Sequence, residues 1–302
     1  MNEIVIAQET LDALSRASTA TITTQLFQRG LRNTFLNGLS PLNPAHARFV
    51  GEALTLRNIP AREDLDVVDA FRDPNHPQRL AVETVGPGQV LVLECRGDLR
   101  AANAGGILVT RARKRGAAAI VSDGAIRDSP EIAQMPFPVF VAGRSATISL
   151  AVHHAVAVNV PIACAGVAVF PGDILVGDEE GVVVIPRHLA AEIAQPAANQ
   201  EELERFIIER VQDGAALPGT YPPNEATRAA FEEWKSDKVV GRSPGHEPVR
   251  RRQGVPMTHP LMRSALRQPV LRRRMRGDRR EAVTPPPRHG KRRSGRGPRR
   301  PT

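Results

Sequence analysis

The sequence predicts an α/β protein arranged in layers around a mixed sheet. Three observations carry this. In the middle of the chain, Val-, Ile- and Ala-rich strand patterns alternate with short helical ones. After about residue 155 strand patterns follow one another directly, which calls for pairing within a mixed sheet rather than a pure doubly wound one. Hydrophobic residues make up 41% of the chain and aromatic ones only 4%, so the core must be built from Val, Ile, Leu and Ala.

The elements follow in order. Residues 8–16 and 20–30 read as two short helices, the second capped by Thr19 or Thr21 and ended by Gly30. Residues 48–58 read as a strand closed by Pro60, and 77–85 as a helix before the Gly86-Pro87-Gly88 turn. QVLVLEC (89–95) is a buried strand, 105–115 a helix ending at Gly116, and AAAIVSD (117–123) the next strand. A turn at Gly124 follows, then a short helix with Ser129 as N-cap and Pro130 at its first position. FPVFVAG (137–143) is a strand, and three Val-rich strands occupy 155–185, broken by turns at Gly172-Asp173 and at 178–181. Residues 188–214 are helical with a kink or break expected at Pro196, and 225–236 form a last helix carrying the single Trp234.

Charge divides the chain into two domains. Residues 239–302 hold 19 of the 41 Lys and Arg against three acids, a net of +16, whereas residues 1–238 carry a net of −7. The tail has ten prolines and no aromatic residue. It cannot bury enough surface to offset its chain entropy, so disorder is expected for it. Any contact it makes with RNA is expected to be phosphate neutralisation without base readout. Its KRRSGRGPRR end resembles a nuclear-localisation run in composition only. The apolar stretch 148–170 contains two histidines, Asn159 and Pro161, so two successive buried strands explain it better than a membrane span. The N-terminus is too acidic and too weakly apolar for a signal peptide. A cytoplasmic protein without a membrane span is expected. Cys95 and Cys164 each sit in an apolar stretch and form neither a disulfide framework nor a zinc pattern.

The chemistry concentrates in residues 97–131. Gly105-Gly106 precede a helix whose first turn holds Ile107 and Leu108. Helix-start N–H groups attract a carboxylate or phosphate, and glycines let it approach closely. Arg127-Asp128 lie beyond a strand's C-terminal end, where α/β proteins place their sites. A guanidinium clamps a carboxylate or a developing enolate; an adjacent aspartate is a hard oxygen ligand for Mg²⁺ or Mn²⁺. Together they suit a chelated 2-oxo acid. By composition alone an Arg-Asp pair is commonly a surface salt bridge. His153-His154, Asp173 and the acids at 178–180 read as core, strand-edge or turn residues.

The segment Gly105-Gly106-Ile107-Leu108, Arg115-Gly116-Ala117-Ala118 and Asp123-Gly124-Ala125-Ile126-Arg127-Asp128 resembles the signature of the RraA-like family. PVFVAG (138–143) and PGDILVGDEEGVVVIP (171–186) match it too, and the likeness covers roughly residues 15–215. The family includes class II 4-hydroxy-4-methyl-2-oxoglutarate/4-carboxy-4-hydroxy-2-oxoadipate aldolases and regulators of ribonuclease E activity. The resemblance implies a swivelling β/β/α-type layered domain over 1–238, forming homotrimers or hexamers. It implies that N–H groups of Gly105, Gly106, Ile107 and Leu108 hold the pyruvyl carboxylate. It assigns Arg127 to substrate binding and catalysis, stabilising the enolate, and Asp128 to a divalent metal, Mg²⁺ or Mn²⁺. An acid from a neighbouring subunit, Glu201, Glu202 or Glu204, is expected to complete the site. The chain departs from the family at Gly106, where aldolase members often carry Asp or Glu; Asp123 or a neighbour's glutamate could compensate. The activity implied is pyruvate-yielding aldol cleavage of 4-hydroxy-2-oxo acids with oxaloacetate decarboxylation beside it. The alternative is a non-catalytic regulator binding a ribonuclease E-type partner.

Overall fold

Two helices open the described part of the chain: α1 (Gln8–Ser15) and α2 (Thr19–Gln28). Ser18 caps α2, accepting the Thr21 N–H at 3.1 Å. The expected caps, Thr19 and Thr21, are engaged elsewhere: Thr19 gives its N–H (2.7 Å) and its hydroxyl (2.9 Å) to Asp178, and the Thr21 hydroxyl donates to Glu201. The strands are β1 (Ser40–Pro41), β2 (Phe49–Pro60), β3 (Gln89–Leu93), β4 (Ala102–Ala104), β5 (Ala119–Ile126) and β6 (Val139–Arg144). Between them lie α3 (Pro77–Thr84), α4 (Gly106–Lys114) and the short α5 (Ser129–Ile132). Then come β7 (His153–Val158), β8 (Ile162–Cys164), β9 (Val167–Val169), β10 (Ile174–Asp178) and β11 (Gly181–Ile185), followed by α6 (Ala190–Gln212) and α7 (Glu225–Val239). This computed structural model describes residues 5–239. Apart from the α7 terminus, the Arg- and Pro-rich segment 239–302, with the disorder and RNA contacts expected of it, lies outside the described residues.

The main sheet has nine strands, with the path β1-β6-β5-β3-β2-β10-β11 and with β4 on β5 and β7 on β2. The pairs β2–β3, β3–β5, β5–β6 and β4–β5 are parallel, and β1–β6, β2–β7, β2–β10 and β10–β11 are antiparallel. The expected mixed sheet is therefore present. Both of its faces are covered, and the period-2 alternation shows by what. Along β3, Leu91 and Leu93 pack towards α3 and α4 with Ala81, Val82, Val109 and Ala112. Val90 and Val92 pack the other way, onto the two-stranded β8–β9 sheet with Ile162, Cys164, Val167 and Val169. This is the β/β/α layering expected from the family resemblance. Ile174, Val176, Val183 and Ile185 bury a third cluster under α1, α2 and α6. Trp234 joins α7 to α6, packing with Phe206 and Phe231 and donating to Glu209 at 2.9 Å.

Four sequence expectations need correction. The stretch 153–185 holds five strands rather than three, and 148–170 contains three of them, β7, β8 and β9. The extra breaks use left-handed residues, Asn159 (φ 59°), Ala165 (φ 47°) and Gly166 (φ 76°). Gly124 makes no turn: β5 runs through it to Ile126, with a register shift against β6 between Ser122 and Ala125. Gly124 lies so close to Cys95 that a β-carbon would collide with that side chain. Asp128, not Ser129, occupies the N-cap position of α5. Finally, of the kink or break expected at Pro196 the break does not occur: α6 continues through it. Ile193, Ala194 and Ala197 beside it are buried in the third cluster. The carbonyl that loses its partner belongs to exposed Glu192, within reach of water. No helix among the described residues is long and apolar enough to cross a membrane.

Candidate functional site

The site forms where β4 joins β5. Ala102 pairs with Ala125 and Ala104 with Ile126, and the Arg127 N–H donates to the Ala104 carbonyl at 3.1 Å. The start of α4 thereby lies beside the end of β5. Gly105 is the N-cap of α4, and the first intrahelical bond runs from Val109 N–H to Gly105 O at 3.1 Å. Helix geometry leaves the N–H groups of Gly106, Ile107 and Leu108 without intrahelical acceptors. Asp128 adopts a left-handed conformation, φ 57° and ψ 26°. For a side-chain-bearing residue that conformation is uncommon, and Asp is among those that tolerate it. It turns the carboxylate back, so that Oδ2 accepts the Gly106 N–H at 2.9 Å. Arg127 Nε lies 3.7 Å from the same oxygen.

Gly105, Ile107, Leu108, Arg127 and Asp128 line one cleft of about 460 Å³. Gly106 adjoins it through its bond to Asp128. The two glycines differ. A β-carbon at Gly105 would stand 2.7 Å from Asp128 Oδ2 and 2.9 Å from Arg127 Cγ and Nε, so only glycine leaves both side chains in place. At Gly106 it would stand 3.6 Å from Asp128 Oδ2 and 3.8 Å from Glu131 Oε2, ordinary contacts. The place where a side chain at 106 would begin is thus flanked by two carboxylates already present. A slightly larger hollow of about 510 Å³ is lined mostly by threonines and apolar side chains, with Arg32 and Glu180.

Two expected substitutes for the missing acid at 106 are committed elsewhere. Asp123 is 5% exposed, and its carboxylate accepts the N–H groups of Cys95, Gly97 (3.1 Å) and Ala165 (3.2 Å). Glu201 accepts from Ser18 N–H (3.0 Å), Ser18 Oγ (3.0 Å) and Thr21 Oγ1 (2.8 Å). Burial works against its charge, yet these bonds hold its carboxyl below the ordinary value. Glu202 lies 3.8 Å from Lys235 Nζ, and Glu204 accepts from Gln200 at 2.8 Å. His153 is buried, with Nε2 3.2 Å from the Ala101 carbonyl, and burial lowers its pKa. His154 pairs with Asp66 at 2.9 Å. Both agree with core and strand-edge roles.

Sequence reasoning missed the further lining of the cleft, supplied by Phe71, Gln78, Arg79, Ile148 and Ser149. Gln78 is buried and donates through Nε2 to the Asn103 carbonyl, which ties the first turn of α3 to β4. Arg79 lies over the Phe71 ring at 4.3 Å. Burial and then the charge of Arg127 pull its guanidinium below the ordinary value. Glu131 was missed as well; standing three residues after Asp128 in the first turn of α5, it had a legible helical spacing.

Among the described residues no group of three or more His, Cys, Asp and Glu converges as a metal cage. The donors present are carboxylates, Asp128 with Glu131 nearby. That set fits a hard cation that keeps most of its water shell, such as Mg²⁺, and does not fit a closed Cys/His site.

In this β/β/α layered fold an arginine, an aspartate and a helix start meet at one strand end. Residues 19–184 match the RraA-like family, described as Aldolase/RraA, and the chain belongs to that family. It is 35% identical over 140 residues to a 4-hydroxy-4-methyl-2-oxoglutarate aldolase of Thermus thermophilus, covering 46% of this chain and 77% of that one. A Halalkalibacterium halodurans relative, provisionally assigned the same activity, is 34% identical over 187 residues, covering 60% of this chain and 81% of that one. Among solved structures, an unusual member of the RNase ES inhibitor RraA protein family from Streptomyces coelicolor is 33% identical. It has a TM-score of 0.61 and covers 68% of this chain and 100% of that one. An uncharacterised protein from Pseudomonas syringae is 29% identical, with a TM-score of 0.62 over 72% of this chain and 100% of that one.

Proposed function

We propose that the protein is a cytoplasmic, divalent-metal-dependent (class II) pyruvate aldolase that cleaves 4-hydroxy-2-oxo acids and decarboxylates oxaloacetate as a side reaction. The observation that carries this reading is the convergence of Arg127, Asp128 and the start of α4 in one cleft. The N–H groups of Ile107 and Leu108 bind the pyruvyl carboxylate at the positive end of the helix dipole. The Gly106 N–H holds Asp128 in place rather than the substrate. Asp128 would hold Mg²⁺ or Mn²⁺, which supplies Lewis-acid polarisation of the 2-oxo group when bound. The Glu131 carboxylate, beside Gly106, takes the proton from the C4 hydroxyl. The C3–C4 bond then breaks, leaving a carbonyl on the departing half and an enolate on the pyruvyl half. Arg127 stabilises that enolate until C3 is protonated. Loss of CO₂ from oxaloacetate leaves the same enolate, so the same residues serve both reactions.

The test is a pyruvate-release assay over a panel of 4-hydroxy-2-oxo acids and oxaloacetate, with and without Mg²⁺ or Mn²⁺. The wild type is expected to turn over in a metal-dependent way, and Asp128→Ala to abolish release. Full activity of that variant would overturn the metal assignment. The likeness to the Streptomyces coelicolor protein supports a second reading, a regulator that binds a ribonuclease E-type partner. No turnover of any 2-oxo acid, together with inhibition of such a ribonuclease, would favour it. We further propose a homotrimer or hexamer in which Glu202 or Glu204 of a neighbouring copy approaches the cleft, since Glu201 is occupied at the start of α2.

A further inference from the structure

We infer that Arg79 is the specificity-determining residue of the cleft, binding an anionic group on the half of the substrate that departs. The inference rests on the aldolase reading and adds to it the residue that meets the departing half.

Arg79 is placed with care and left without a counter-ion. Its guanidinium lies 4.3 Å from the centroid of the Phe71 ring. The neighbouring Gln78, bonded to the Asn103 carbonyl, fixes the first turn of α3 against the cleft. Among the described residues no carboxylate lies within ion-pair distance of Arg79, whereas exposed arginines such as Arg62, Arg100 and Arg111 each have one. Arg79 instead shares its cleft with Arg127, a like charge. Two guanidinia held in one partly buried hollow repel each other; Arg127 has Asp128 3.7 Å away, whereas Arg79 has no carboxylate among the described residues to offset the repulsion.

The charges in the cleft say which ligand would offset it. Arg127 and the start of α4 meet the pyruvyl carboxylate and the enolate that forms from it. Asp128, bonded to Gly106 and beside Arg127, is the carboxylate that would hold a cation. Arg79, in the first turn of α3, is then the one unmatched charge of the cleft. A guanidinium stacked on an aromatic ring presents its N–H edge for a two-pronged bond to a carboxylate. A substrate whose departing half carries a carboxylate fills that position; one ending in a methyl group leaves Arg79 desolvated and unpaired.

The experiment compares two substrates in the Mg²⁺-supplemented full-length protein: 4-hydroxy-4-methyl-2-oxoglutarate, with a carboxylate on the departing half, and 4-hydroxy-2-oxopentanoate, with none. Arg79→Met keeps an apolar stem on Phe71 and removes the charge; Arg79→Lys keeps the charge and loses the fork. A charge-assisted bond predicts that Arg79→Met lowers kcat/KM for the dicarboxylate by about 10- to 100-fold, mainly through KM. Release from the monocarboxylate should stay within about twofold. Arg79→Lys should recover part of the loss. An equal loss on both substrates, or none on either, overturns the inference. Calorimetric binding of 2-oxoglutarate against 2-oxobutyrate is measured in parallel. If the wild type turns over neither substrate, the aldolase reading fails and binding decides for Arg79. A wild-type preference for 2-oxoglutarate that Arg79→Met removes upholds its role; no such preference overturns it.

Discussion

Two aspartates five residues apart, one inside β5 and one just beyond its end, have opposite fates. Asp123 is 5% exposed and laces three segments together, accepting N–H groups from Cys95, Gly97 and Ala165. Asp128 stands in a left-handed conformation with a side chain 42% exposed, and its carboxylate accepts one backbone N–H, that of Gly106. Both belong to the same short motif, and residue type does not separate them. Burial and backbone conformation do: the satisfied aspartate builds the fold, and the strained, half-open one faces the cleft. Substitutions should therefore split stability from activity along this line.

The largest effect is expected at Asp123. Asp123→Ala leaves three amide donors without acceptors, each costing about 1–3 kcal/mol when buried. A total of about 3 kcal/mol or more is a large share of the roughly 5–15 kcal/mol available to a domain. Thermal unfolding should move down by about 6–12 °C, with pyruvate release falling only as far as folded protein is lost. An unchanged melting temperature would show that Asp123 is not the lace described.

Asp128→Asn should do the reverse. Asn tolerates the left-handed conformation, and its carbonyl oxygen still accepts the Gly106 N–H. The melting temperature should stay within about 3 °C of wild type. On the proposed metal role, metal-dependent pyruvate release should fall by about 100-fold, because the charge that would hold the cation is gone. A matching fall in stability would make Asp128 a second structural aspartate and dissolve the contrast.

The same contrast explains what was legible in the sequence. Gly105-Gly106 and Arg127-Asp128 were readable because each lies in a contiguous stretch whose local signals, a helix start and a strand end, agree with the fold. The layering was legible through the family resemblance, and the alternation along β3 bears it out. Arg79 was not legible: it reaches the cleft from α3, and no local pattern says that Gln78 will bond to Asn103. Asp123-Gly124 read as a turn because that dipeptide usually is one, whereas here the glycine answers to Cys95, 29 residues away in the chain. The strand breaks within 153–185 were hidden in a Val-rich run with few polar punctuators. Pro196 was overridden by the packing of Ile193, Ala194 and Ala197.

The two glycines at the start of α4 sharpen the comparison with smaller effects. A β-carbon at Gly105 would displace Asp128 Oδ2 and Arg127 together. Gly105→Ala should therefore lower kcat/KM by about 10- to 100-fold, as misplacement of site groups by a fraction of an ångström does. Gly106→Ala meets only ordinary contacts and should leave kcat/KM within about twofold. It should also gain up to about 1 kcal/mol of stability from better helix propensity. Steady-state kinetics and thermal melts of both variants check this. Equal losses at the two positions would mean that the closeness of Gly105 to Asp128 does not hold the site.

The smallest effect reports on the Asp123 side alone. Cys95 and Cys164 are fully buried, and burial pushes the Cys95 thiol up to about 12 and raises that of Cys164 as well. At pH 8 both stay protonated in the folded protein, and since the thiolate is the reactive form, neither should take up iodoacetamide. Unfolding returns both to the ordinary thiol range and raises the reactive fraction. Asp123 accepts the Cys95 N–H, and Ala165 beside Cys164 donates to it, so Asp123→Ala should open both to alkylation under native conditions. Asp128→Asn should leave both closed. Mass spectrometry of the labelled proteins separates the cases. Ready labelling of the wild type or of Asp128→Asn would mean that the buried corner opens on its own, leaving the two aspartates different in degree rather than in kind.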